Sequence, residues 1–109
     1  MNTANNQRFQ ETDRRIRTVM LELIKQKDIN KITVNDICKG CGINRSTFYA
    51  HFVDIYDLMD KMQMEIYQDI QESFKEVDFQ PDNFLTPDYL VILFNHIRRN
   101  RLFYRVYLD

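Results

Sequence analysis

Long apolar runs are missing from this 109-residue chain, and so are most of the residues that punctuate linkers: it has two glycines, two prolines and two cysteines. No stretch approaches the roughly 18 uncharged apolar residues of a membrane span. The N-terminus MNTANNQRFQ also lacks the apolar run of a signal peptide. These absences point to a soluble, cytoplasmic protein with no membrane partner. Cys38 and Cys41 cannot by themselves build a disulfide framework. No Gly-rich linker, internal repeat or low-complexity segment interrupts the chain. What is present is 44% apolar residues, enough to fill the core of one ordinary domain and to exclude disorder.

The net charge of −1 conceals an asymmetry. Residues 8–53 hold nine Lys or Arg against five acids, a net of +4, whereas residues 54–109 hold six against eleven, a net of −5. A basic N-terminal portion with an acidic remainder suggests a polyanion-binding head joined to a body with another task.

Periodicity predicts an all-α chain. Residues 1–12 are polar and aperiodic and read as a flexible arm in which Arg8 is the only basic residue. Ile16, Val19, Met20, Leu23 and Ile24 then mark one face of a first helix, capped by Asp13 and running to about Lys27. Thr33 followed by Asp36 has the capping-box form and starts a second helix. That helix carries Val34, Ile37 and Cys41 along one side and stops at Gly42, which can take a positive φ. Asn44 caps a third helix from Arg45 to about His51. Two short helices joined by a tight turn containing Gly are a helix-turn-helix.

Asp54 starts a fourth helix whose stripe runs from Ile55 through Leu58, Met59, Met62, Ile66, Ile70 and Phe74 to Val77. At 1.5 Å per residue that helix is about 36 Å long, more than a three-helix head needs, so it reads as a link to the body. DFQPDNFLTPD is the loop that ends it, and residues 88–108 read as two further apolar helices broken near RRNR. The expected domains are therefore an arm (1–12), a helix-turn-helix head (13–53), and a linking helix with part of a regulatory body (54–109).

On a helical wheel of the third helix, Phe48 and Phe52 point inward, Ser46, Thr47 and Ala50 point outward, and Arg45, Tyr49 and His51 flank them. Small residues let a backbone approach a major groove, Arg can pair with guanine, and hydroxyls and phenols can donate to phosphates. The stretch ITVNDICKGCGINRSTFYAHFVDIYDLM resembles the DNA-binding head of the TetR/AcrR family of bacterial transcriptional regulators, over roughly residues 10–60. The resemblance implies a repressor-like homodimer with its heads on double-stranded DNA and a C-terminal body that binds a small-molecule effector. It also implies DNA contacts at Thr33, Asn35, Arg45, Ser46, Thr47, Tyr49 and His51. By side-chain chemistry, Arg45 and Thr47 are candidates for base edges, with Thr33, Tyr49 and His51 on phosphates. Two departures stand out. Many members carry a Lys just inside the fourth helix where this sequence has Ile55, which leaves Tyr56 or Lys61 as replacements. The chain is also short for the family, as a fragment or an unusually short relative would be.

Rival readings of single features are weaker. C-x-x-C supplies half of a tetrahedral zinc site, but the other half is missing, so Cys38 and Cys41 read as small packed hydrophobes rather than redox or metal groups. Thr47 and His51 lie one helical turn apart, but no orienting acid or oxyanion site accompanies them, so neither catalysis nor a cofactor is expected. His96 reads as a core or helix-end residue, the group Met59, Met62 and Met64 as core filler, and the acids Asp60, Glu65, Asp69, Glu72 and Glu76 as a solvated face. The alternative to a DNA regulator is a small helical protein–protein interaction module.

Overall fold

The computed structural model describes residues 3–77 and 86–108, with side chains described as far as Arg105. Among the described residues there are six α-helices and no strand: α1 (Thr3–Gln26), α2 (Val34–Cys41), α3 (Arg45–His51), α4 (Ile55–Phe74), α5 (Pro87–Arg99) and α6 (Arg101–Leu108). The chain is all-α, and it divides into two compact units, Met1–Lys61 and Met62–Asp109.

In the first unit, apolar periodicity becomes a core. Ile16 and Met20 of α1, Ile37 of α2, and Phe48 with its neighbour Phe52 at the end of α3 are buried, as are Leu58 and Met59 in the first turns of α4. Each such side chain contributes roughly 1.5–3 kcal/mol by leaving water. Cys38 and Cys41 are buried free thiols on α2, and burial pushes the Cys41 thiol above its ordinary value. The helices approach closely where side chains are small: a Cβ added at Gly40 would lie 2.6 Å from Cγ1 of Val19 on α1.

Local signals set the ends. The Thr33 hydroxyl accepts from the Asp36 N–H at 3.1 Å, and the Asp36 carboxylate accepts from the Thr33 N–H at 3.0 Å. Both halves of the capping box are therefore made. Gly42 terminates α2 in the left-handed conformation at φ 70°, and its N–H donates to the Cys38 carbonyl. Only Ile43 and Asn44 then separate it from α3.

Three expectations for this unit are corrected. Residues 3–12 are helical and continuous with α1, not an irregular arm, because Phe9 has something to pack on: its ring stacks against His51 at 3.8 Å between centroids. Asp13 consequently sits inside α1 and caps nothing; its carboxylate accepts from Arg17 and faces His51. The unit also extends past residue 53 to Lys61, because Leu58 and Met59 are part of its core.

Helix α4, which begins in the first unit and ends in the second, is shorter than its apolar stripe. It ends at Phe74 after 20 residues, about 30 Å. Val77, the last residue of the expected stripe, already closes a turn with its N–H on the Phe74 carbonyl. Residues 78–85 of the expected loop lie outside the described residues; Pro87 opens α5 after Thr86. The break expected near RRNR falls at Asn100, whose N–H donates to the carbonyls of His96 and Ile97. Met62 is buried but Met64 is 55% exposed, so the methionine group is not uniformly core.

His96 is fully buried, with Nδ1 2.7 Å from Asp69 Oδ2 and Nε2 2.6 Å from the Tyr104 hydroxyl. Asp69 is therefore only part of a solvated face, 38% exposed but tied inward: Arg99 and Asn100 donate to the same oxygen. Burial works to raise its carboxyl, but the hydrogen bonds from His96 and Arg99 prevail and hold it below the usual carboxylate value.

Candidate nucleic-acid interface

The exposed side of α3 is organised by its cap. Asn44 Oδ1 accepts from the Thr47 N–H at 2.9 Å, from the Thr47 hydroxyl at 2.9 Å and from the Ser46 hydroxyl at 2.8 Å. One side-chain oxygen thus starts the helix and also orients the first two hydroxyls of its outer face. Beneath, Phe48 and Phe52 are 0% and 2% exposed and fix which side of α3 faces the core.

Arg45 joins two helices across the turn. Its guanidinium donates to Asn35 Oδ1 on α2 at 2.8 Å and to the Tyr49 hydroxyl one turn along α3 at 3.0 Å. It also stands 5.6 Å from the centre of the Tyr49 ring, within cation–π range. Asn35, Arg45 and Tyr49 form one exposed, connected cluster, so the guanidinium is held by polar partners it can exchange for others. Thr33 is exposed at the start of α2, next to the Asp36 carboxyl that hydrogen bonds from Lys27 and the Thr33 N–H pull down to about 2.

Six of the seven expected contact residues share the outer surface of α2, the turn and α3: Thr33, Asn35, Arg45, Ser46 and Tyr49 are exposed, and Thr47 is half-buried. His51 does not. Its side chain is 3% exposed, with one ring face against Phe9 and Nδ1 3.2 Å from Asp13 Oδ2. The wheel position of His51 is outward on α3, but the extension of α1 packs over one face of its ring, so the imidazole is held between Phe9 and Asp13.

The two replacements for the missing Lys diverge. Lys61 Nζ turns back onto its own unit, donating to Asp57 at 3.3 Å and to the His51 carbonyl at 3.5 Å, above the Phe52 ring. Tyr56 is 70% exposed.

Two open grooves border α3. One, of about 860 Å³, is lined by Asn35, Lys39, Gly42, Asn44, Arg45 and Ser46; the other, of about 370 Å³, lies between α3 and the extension of α1. Lys39 in the first and Arg8 in the second are cations that periodicity could not single out, since neither belongs to an apolar pattern.

The exposed α3 ridge, its Asn cap, its glycine turn and the Thr-capped α2 agree with one comparison. Residues 16–62 match the family model of the bacterial regulatory proteins of the TetR family. They form a TetR-type N-terminal helix-turn-helix domain. TetR-family proteins are DNA-binding transcriptional regulators and generally not enzymes. The TetR match starts at Ile16, so the first half of α1, including Phe9 and Asp13, lies outside it. No curated protein matches the chain. No helix among the described residues is long and apolar enough to cross a membrane.

Proposed function

We propose that this protein is a sequence-specific double-stranded DNA-binding regulator, a ligand-responsive repressor that acts as a homodimer on an inverted repeat. The observation that carries the reading is Arg45: an exposed guanidinium on the second helix of a helix-turn-helix, held at 2.8 Å by Asn35 and at 3.0 Å by Tyr49. Arg is the side chain whose paired donors match guanine O6 and N7 in the major groove. Arg45 and Thr47 take base edges, Thr33 and Tyr49 take phosphates, and Asn35 and Ser46 complete the surface. His51 supports it from behind through Phe9 and Asp13. Two-fold pairing places the heads in successive major grooves about one helical turn apart. Support for pairing comes from α5, where Val91, Phe94 and Ile97 are exposed at three-residue spacing along one side of the helix.

The test is selection of bound duplexes from a random pool, with an inverted repeat as the expected product. Arg45→Ala should relax preference at one position per half-site at a cost of about 1–3 kcal/mol. An even loss across all sequences would instead place Arg45 on a phosphate. The exposed α5 face also suits a protein–protein module with no DNA role. Salt titration separates the two readings, because neutralising phosphates makes log K fall steeply with log salt. No binding to duplex at low salt would decide for the module.

A further inference from the structure

The N-terminal extension of α1, Thr3–Gln10, is exposed along its whole length. It is nevertheless fastened to α3 at two points. Phe9 stacks on His51 with the rings 18° from parallel, and Asp13, one turn later, faces His51 Nδ1. Between those helices runs the groove of about 370 Å³, with Asn5, Arg8 and Thr12 on the α1 wall and Ser46, Thr47 and Ala50 on the α3 wall.

The chemistry of that groove is one-sided. It is lined by a guanidinium, an amide, three hydroxyls, the His51 imidazole and the Phe9 ring, and no carboxylate lines it. Ser46 and Thr47 already donate their hydroxyl protons to Asn44, which leaves Arg8 as the charged donor. Ala50 keeps the α3 wall low. A guanidinium in a groove without a carboxylate is a charged donor for the non-bridging oxygens of a phosphodiester. The α3 wall belongs to the same outer face that the proposed function lays in a major groove, and a helix in that groove is flanked by sugar-phosphate backbone.

We infer that the extension of α1 is part of the DNA interface, with Arg8 contacting a backbone phosphate received in the groove between α1 and α3. The inference rests on the DNA-binding reading and adds to it a contact from residues outside the helix-turn-helix. It also gives the Phe9–His51 stack a purpose, namely to hold Arg8 beside Ser46 and Thr47.

The full chain and its Arg8→Ala and Arg8→Gln variants are titrated onto the selected duplex across a range of salt. Removing one phosphate contact should flatten the slope of log K against log salt by about 0.9 for each phosphate released and leave the selected sequence unchanged. Phe9→Ala, which removes no charge, should make a subsequent Arg8→Ala nearly silent, because the extension is no longer held. An unaltered slope for Arg8→Ala and Arg8→Gln overturns the inference while leaving DNA binding intact. A shift in base preference overturns it too, by making Arg8 a base reader. If the unmodified chain binds no duplex at low salt, the underlying functional reading fails with it.

Discussion

The two units place polarity in opposite places. In Met1–Lys61 the core is apolar apart from the part-buried Asp13 contacts with His51 and Arg17, and the other polar contacts lie at the surface: the capping box, the Asn44 cluster and the Arg45 link to Asn35 and Tyr49. In Met62–Asp109 a fully buried histidine sits amid an aspartate, a tyrosine and an asparagine, while Val91, Phe94 and Ile97 face outward. A head that must meet a polyanion keeps its donors outside on a firm apolar base. A body that keeps polar groups inside has a uniquely oriented interior, because each buried donor and acceptor must find its partner.

The strongest way to break that contrast is His96→Ala. His96 Nδ1 faces Asp69 and Nε2 faces the Tyr104 hydroxyl, so both ring nitrogens of the buried side chain have a partner. Tyr104 agrees with this role, since burial and then the Asp69 charge raise its pKa and keep its proton on. Truncation strands the hydroxyl and empties a fully buried site, for an expected loss of about 3 kcal/mol in urea denaturation. Arg45→Ala, on the exposed head surface, should change stability by less than about 0.5 kcal/mol. Equal losses for the two variants would show that the interior network holds nothing together.

What was legible in the sequence was local. Thr33 and Asp36 declare a helix start within four residues, Gly42 and Asn44 declare a stop and a restart, and Phe48 and Phe52 declare an inner face, because caps and periodicity act over one or two turns. What was hidden depends on distant partners. A wheel of α3 turns His51 outward because a wheel knows nothing of other helices, yet Phe9 and Asp13 cover it. Thr3–Gln10 looks aperiodic because its aromatic anchor, Phe9, packs on another helix and not within a stripe of its own. Asp69 looks solvated for the same reason, since its partners His96, Arg99 and Asn100 are 27 or more residues away. A single polar residue on a polar face sends no signal that it has been claimed from afar.

A smaller effect sharpens the account of the head's apolar base. At Gly40, a new methyl group would meet Val19 Cγ1 at 2.6 Å. Valine in a helix has one strongly preferred rotamer and cannot swing aside. Gly40→Ala gains up to about 1 kcal/mol of helix propensity. It should still lose about 1 kcal/mol net, because overpacking costs about 1–3 kcal/mol. Val19→Ala in the same chain should recover the loss, with thermal denaturation as the readout. Failure of the second substitution to restore stability would show that α1 and α2 are not limited by that contact.

The smallest expected effect tests the head's surface polarity through pH. Asp36 accepts from Lys27 Nζ at 2.7 Å and from the Thr33 N–H at 3.0 Å. Those hydrogen bonds lower its pKa from 3.8 to about 2. A carboxyl whose pKa is depressed by folding stabilises the fold fully above its unfolded value and ceases to do so as pH falls through the folded value. Asp36 therefore makes stability fall as pH drops from about 4 to 2 and leaves it flat above that window. Asp36→Asn should remove this part of the slope, while Thr33→Ala, which deletes only the hydroxyl half of the capping box, should preserve most of it. Because Lys27 is the largest influence on the carboxyl, Lys27→Gln should narrow the window from its acid end more than Thr33→Ala does. The reverse order would mean that the capping box, and not the link from the end of α1 to α2, sets the charge of Asp36.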